Sequence, residues 1–387
     1  ASLLTAGGLT LGGAFNAKDS SSSTITGAGL VQSGGVLAAE NTAKMIFNGD
    51  DNSLNISLGG TVNALGSAEI TVKNNTLLGG ALDLSGSSTF ASDGFDISSG
   101  GVLTMTESAS LNATGDFEVS GSGSITGPAK ITANSLTVKD GGTLTFIYDE
   151  AGDSYPMATL TGGDLTVEED GVLVGDAHFD LGATGKLSYA GEVFVGALGA
   201  ETGLMQITQG DLVSQANGSL QFGLTYDEIA MAGSNALLTV DNGYADFTES
   251  STIKLDVQGT SYIPTDEQFT ILQANNFLLP TGQSELVPES GRPSVTRSWI
   301  SRTLTAGGKK NLNVQSPANY LGKDPETGDQ VLTGDLAPTG NWLNSLIPDA
   351  NADPDGATGQ MLGSFDAIQT SAAYEIATRG LQPTTVV

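Results

Sequence analysis

The chain has 387 residues, of which 53 are glycine, 39% hydrophobic, 6% aromatic and 15% charged; there is no cysteine and one histidine, and the formal net charge is −29. That charge repels nucleic-acid phosphates and anionic lipid headgroups, so it argues against both as partners. A Cys–His pair and a multi-histidine zinc site are excluded by inventory.

The apolar share is too high and the charge density too low for a disordered chain, and the orderly alternation of apolar residues points to an all-β protein. No run approaches 18 consecutive apolar residues, so no transmembrane helix is expected. The opening Ala1-Ser2-Leu3-Leu4-Thr5-Ala6 lacks the basic region of a signal peptide. For an exported protein this places the first residue after processing or trimming. The lack of cysteine suits a chain that crosses an oxidising compartment unfolded.

Residues 1–224 carry a recurring strand–turn–strand unit. Leu136-Thr137-Val138 is followed by the turn Lys139–Thr143 and then by Leu144-Thr145-Phe146. The form recurs as Phe95/Ile97 before Leu103/Met105, Phe117/Val119 before Ile125, and Phe179/Leu181 before Leu187/Tyr189. Leu82/Leu84 before Phe90 and Leu165/Val167 before Leu173 or Val174 are looser copies. Apolar residues at i and i+2 mark strands with one buried face, and Gly, Asn and Asp punctuate them with turn chemistry. A sandwich or barrel also has short strands. The persistence of the repeat without a helix, the brevity of the runs and the small turn residues favour a right-handed parallel β-helix, a β-solenoid. Coils of roughly 20–25 residues would give about ten over residues 1–220, a rod of roughly 50 Å at ~4.8 Å per strand.

Several candidate sites lie within this stretch. The sequons at Asn55, Asn74, Asn112 and Asn217 are expected by chance in so Asn/Ser/Thr-rich a chain. Gly152-Asp153-Ser154 is similar to the nucleophile block of secreted esterases, but no Asp-x-x-His block accompanies it and Tyr155-Pro156 follows in a turn. Glu168-Glu169-Asp170 could serve a β-helix lyase or hydrolase, or simply face solvent in a turn. Period two places Asp176, His178 and Asp180 together on an outer strand face, as a small cation or proton site or as a solvated surface.

Composition changes near residue 225. Residues 225–316 read as a more conventional β segment, with runs at Ala236–Val240, Thr252–Val257, Gln268–Ala274 and Leu312–Val314. Arg292, Arg297, Arg302, Lys309 and Lys310 form its one basic cluster, which would face a membrane or barrel, or be an ordinary exposed loop. Residues 317–387 read as a Pro/Gly/Asp-rich linker with a short helix at Asn341–Ile347 stopped by Pro348. Asn351–Gly356 matches the first half of a calcium loop, but Leu362 stands where glutamate is required, so an acidic linker is the competing account. A final helix is predicted from Leu362, Phe365, Ile368 or Gln369, Ala372, Ile376 and Ala377, ending at Gly380 before Pro383.

On these residues the C-terminal part resembles the junction region of type V autotransporters. The similarity lies in Asp227-Glu228-Ile229-Ala230-Met231-Ala232-Gly233 (family pattern D-x-L-x-V-x-G, with Ile229 and Met231 replacing the usual pair), then Ile253–Val257, then Phe269-Thr270-Ile271-Leu272-Gln273-Ala274 (F-x-L-L-x-A). The helix from Met361 to Pro383 resembles the linker that threads the outer-membrane barrel. The resemblance implies a surface-displayed or secreted passenger, exported through periplasm and outer membrane, whose own barrel would follow. It assigns no catalytic, cofactor or metal residue. The expectation is a non-enzymatic adhesin acting in self-association or biofilm formation, with other copies, glycans or surface proteins as partners. The alternatives are a carbohydrate-active β-helix enzyme and a stem whose active head is missing.

Overall fold

The computed structural model describes residues 3–49, 54–197, 202–227, 232–249, 251–257, 262–281, 283, 286, 288–290, 294, 296–324, 327 and 329–381. Three short strands, Leu3–Ala6, Leu9–Leu11 and Ala14–Ala17, make the first turn of the chain. Each pairs in parallel with the strand one turn later: Leu3 with Ser22, Leu9 with Gly29 and Ala14 with Val36. This pairing repeats to Glu289–Ser290, so the chain winds into a parallel β-helix with three faces. The all-β solenoid expected from the alternation is the fold observed. Coil length varies more than expected: 19 residues from Leu3 to Ser22, 20 from Glu69 to Thr89, 27 from Lys130 to Met157 and 34 from Leu238 to Leu272.

Alternation turns every second side chain inward, where it lies above its register partner. Met45, Ile70, Phe90, Leu111 and Ile131 form one such column and are all buried. On the second face Phe95 meets Phe117 edge to face, with ring centroids 5.3 Å apart. A single apolar core runs from Ala17 to Val314. No coil buries its own interior, so each depends on its neighbours.

The corners account for the glycine. Between second and third faces a pair such as Gly59-Gly60 recurs. Gly59 has φ +78°, and a Cβ on Gly60 would stand 2.6 Å from the Val31 carbonyl oxygen and 3.0 Å from those of Gln32 and Ser57. At the next corner a residue at positive φ is followed two positions on by a small buried one, as in Asn41/Ala43 and Glu107/Ala109. The sequence repeat therefore mixes three registers. Leu136–Phe146 and Phe95–Met105 turn the second-to-third corner, Leu82–Phe90 turns the third-to-first, and Phe179–Tyr189 turns the first-to-second. All share one strand period, so alternation alone does not tell the corners apart.

The compositional change near 225 is not a break in the ladder. Residue 224 lies inside the strand Ser219–Asp227, which pairs in parallel with Glu192–Val195 before it and Thr252–Val257 after it. Ile253–Val257 and Phe269–Ala274, two of the three junction motifs, are solenoid strands; most of the first, at 228–231, lies outside the described residues. The ladder ends in an antiparallel hairpin, Ile300–Ala306 with Lys309–Gln315, laid against Phe269–Ala274.

Beyond it the expected linker is a compact helical unit: α1 (Ala337–Ser345), α2 (Ile347–Ala352), α3 (Ala357–Asp366) and α4 (Ser371–Arg379). Its own core joins Tyr262, Tyr320, Leu332, Leu343, Leu362 and Tyr374. Pro348 does not stop a helix; it sits in the first turn of α2, where its missing N–H costs nothing. The single last helix expected from residue 361 is instead two, broken at 367–370, with Thr370 capping α4. The break resets the helical phase, so Tyr374 and Thr378 are buried while Ile376 is 72% exposed. No helix among the described residues is long and apolar enough to cross a membrane.

Candidate functional site

The 27-residue coil carries an excursion, residues 148–156, between Thr143–Ile147 and Met157–Leu160. It is folded on itself. Asp149 and Ser154 exchange backbone hydrogen bonds of 3.0 and 3.2 Å, the Asp149 carboxylate accepts from the Ala151 N–H, and Asp153 turns the chain at φ +46°. The Tyr148 hydroxyl donates to Asp153 Oδ1 at 2.6 Å, a bond that pushes the phenol up to about 12. Tyr148 and Tyr155 then lie 4.6 Å apart between ring centroids, and Tyr155 stacks on His178 at 4.7 Å and 16°. Three rings thus step from the excursion down to the first face.

His178 stands where period two placed it, on the outer face with Asp176 and Asp180, yet the three do not share a cation site. Asp180 accepts from the Gly182 N–H at 3.1 Å and Asp176 from the Leu204 N–H at 2.6 Å. Among the described residues no group of three or more acidic or histidine side chains is arranged to hold a metal ion. Burial pulls His178 below its ordinary pKa against the opposing charge of Asp241, and its Nε2 has no hydrogen-bond partner among the described residues. Burial lifts the Asp176 carboxyl, against the Leu204 N–H. Asp241 is the opposite case. Burial opposes ionisation, but hydrogen bonds from Lys309 (2.6 Å) and Gln206 outweigh it and hold the carboxyl low.

Gly152-Asp153-Ser154 is therefore the tip of a tight turn. Asp153 is engaged by Tyr148, and His178 faces Tyr155 rather than Ser154. Glu168-Glu169-Asp170 lies at an exposed corner, with Glu168 3.5 Å from Lys139. In the calcium-loop match, Asn351 and Ala352 are the last residues of α2. The Asn351 side chain accepts from Tyr262 and from the Thr265 N–H and donates to the Thr265 hydroxyl.

Of the basic cluster, Arg302, Lys309 and Lys310 lie on the hairpin Ile300–Ala306/Lys309–Gln315, and Arg297 precedes it in the chain. Arg297 is buried against Asp366, with contacts of 2.7 and 2.9 Å, and lies over the Tyr262 ring at 4.7 Å. Lys309 pairs with Asp241, and Arg292 lies outside the described residues.

A concavity, missed in the sequence, opens at the first-to-second corner with a volume of about 430 Å³. Asp93, Asp96, Asp116 and Glu118 line it, one coil apart. Three of them are engaged structurally: Thr114 donates to Asp93, Ser135 and Asn134 to Asp116, and Lys139 pairs with Glu118 at 3.0 Å, while burial and the neighbouring Glu118 lift the Asp96 carboxyl. Recurrence of acids at coil spacing was the available signal, hidden by the unequal coil lengths.

The architecture defines the chain as a β-solenoid with a helical cap. No protein-family model matches it, and no curated protein does. A solved structure described as the "TibC-catalyzed hyper-glycosylated TibA55-350 fragment" shares 15% identity, covering 75% of this chain and 98% of that one, with a TM-score of 0.29. A likeness that loose does not bear on function.

Proposed function

We propose that this chain is a binding rod: the exported passenger of a type V autotransporter, displayed at a bacterial surface or secreted, and acting in adhesion or self-association rather than catalysis. One observation carries the reading. The outer faces repeat small polar side chains in register from coil to coil. Thr104, Ser124 and Thr145 are successive partners on the third face, Thr137 and Thr166 on the second, and Asn112, Thr132 and Thr159 on the first. Ladders with rungs about 4.8 Å apart offer many weak contacts to a partner that is itself repetitive. Other copies of the chain, glycans and surface proteins fit that description. The export reading is supported by the order of the motifs at Ile253–Val257 and Phe269–Ala274, and it makes a C-terminal outer-membrane barrel the further partner.

Sedimentation velocity from micromolar concentration upward, at moderate salt, tests self-association, beside adherence of protein-coated beads to bacterial and host cells. Concentration-dependent dimers or fibres, or adherent beads, are expected. A strictly monomeric rod on non-adherent beads would defeat the reading. The opposite displacement of the Asp176 and Asp241 carboxyls near His178 favours a second reading, a carbohydrate lyase or hydrolase. Release of oligosaccharides from a polysaccharide, abolished in Asp241→Asn, would establish it instead.

A further inference from the structure

We infer that the Tyr148–Tyr155–His178 stack is a docking platform for neutral pyranose glycans, with the outer ring face of Tyr148 as the contact. This assignment rests on the binding-rod reading and names the ligand class of one discrete site on it.

The rings form a row. Tyr155 lies between Tyr148 and His178, so one face of Tyr148 is covered by Tyr155 and the other points away from the stack. An aromatic face carries partial negative charge. The axial C–H groups of a neutral pyranose carry the complementary partial positive charge and are apolar enough to lie flat on it. The ring is also held in place before any ligand arrives. Its hydroxyl is tied to Asp153 at 2.6 Å, the excursion is closed by the Asp149–Ser154 pair, and Tyr155 is backed by His178 on a strand. A fixed platform avoids the ordering cost that weakens binding by loose side chains.

The border of the platform has the mixed character that sugars require. Ile147 and Met157, at the two ends of the excursion, are 39% and 36% exposed and supply apolar surface. Beside them the Asp153 carboxylate, oriented by Tyr148, has lone pairs to accept sugar hydroxyls. Charge selects among glycans. Asp149, Glu150 and Asp153 lie in the excursion itself, and the whole chain carries −29, so uronic- or sialic-acid-rich chains are repelled.

The competing role of the rings is to pin the excursion. The two roles separate experimentally. The full chain is titrated calorimetrically with cellohexaose, maltohexaose, laminarihexaose and chitohexaose, with hexagalacturonate as the acidic comparator. At least one neutral hexaose is expected to bind. Tyr148→Ala is expected to weaken that binding by roughly tenfold, the order of one lost ring contact, while Tyr148→Phe keeps the ring and stays within about threefold. Failure of every neutral hexaose to bind at millimolar concentration would overturn the assignment. So would tighter binding of hexagalacturonate, or equal affinity in folded Tyr148→Ala. Bead adherence is scored in parallel. Non-adherent, monomeric wild-type protein defeats the binding-rod reading whatever the titration shows, and an empty titration defeats the platform whatever the beads do.

Discussion

Replacing Gly60 by alanine tests the corner geometry directly. The new Cβ would stand 2.6 Å from the Val31 oxygen and 3.0 Å from those of Gln32 and Ser57, boxed in by backbone on three sides. Ordinary contact needs the coil to move by roughly half an ångström or more, in a core with no slack. The bonds that resist are Thr61 N–H to Gly35 (3.0 Å) and Ala81 N–H to Gly60 (2.9 Å). Stretching both beyond hydrogen-bond range forfeits about 0.5–1.5 kcal/mol each, and overpacking adds about 1–3 kcal/mol. The lower chain entropy of unfolded alanine returns about 0.4–1 kcal/mol. The expected net loss is about 1–5 kcal/mol. Gly141→Asn is the control: Gly141 has φ +72° with nothing within 4 Å of its Cβ, and Asn217 holds the same conformation (φ +69°) at the same corner. Urea denaturation followed by far-ultraviolet circular dichroism compares the two midpoints. If Gly60→Ala is no more destabilising than Gly141→Asn, close backbone approach is not what selects the second glycine.

Asp366→Asn leaves the Arg297 charge buried without its partner and should cost about 3–5 kcal/mol. Thermal melting should record that loss and trypsin should cut sooner within the helical cap, whereas the double change Arg297→Met/Asp366→Leu should recover most of it. The His178 imidazole should titrate below its ordinary 6.5 in the folded chain and at 6.5 in urea, because burial disfavours the cation; a folded-state value at or above 6.5 by proton NMR would contradict the stacked, half-buried ring. For Asp176 the folded carboxyl lies above its ordinary 3.8, so the folded state binds the extra proton and this group's burden on stability appears as pH rises through the folded pKa. Asp176→Asn should therefore stabilise the protein at neutral pH, with the gain fading toward pH 3.8, and equal gains at both ends would show the effect is not electrostatic.

The strands were legible because Leu136, Val138, Leu144 and Phe146 sit at period two and are all buried. What period two does not encode is the corner each turn belongs to, since every face shares that alternation. The helical cap was hidden by its composition. Pro, Gly and Asp between residues 317 and 356 read as a linker, while the residues that build its core, such as Tyr262 and Tyr320, are far apart in sequence and meet only on folding. His178 was correctly placed on an outer face. Its stacking on Tyr155 was not foreseeable, because it depends on a 27-residue coil that folds its excess back onto the next strand. Arg297 looked like part of a basic surface for the same reason: Asp366, which buries it, is 69 positions away.

Unequal coils in a constant ladder make rod length a separable property. Ala81 and Val102 occupy the same place on successive coils, 21 residues apart, and both pair within one uninterrupted face. Excising residues 81–101 would bring Val102 against Thr61, the present partner of Ala81, and shorten the rod by about 4.8 Å without exposing a new edge. Rod length can thus be adjusted in single-coil steps, by duplication or loss of a segment, while the helical cap and the ringed excursion keep their own geometry.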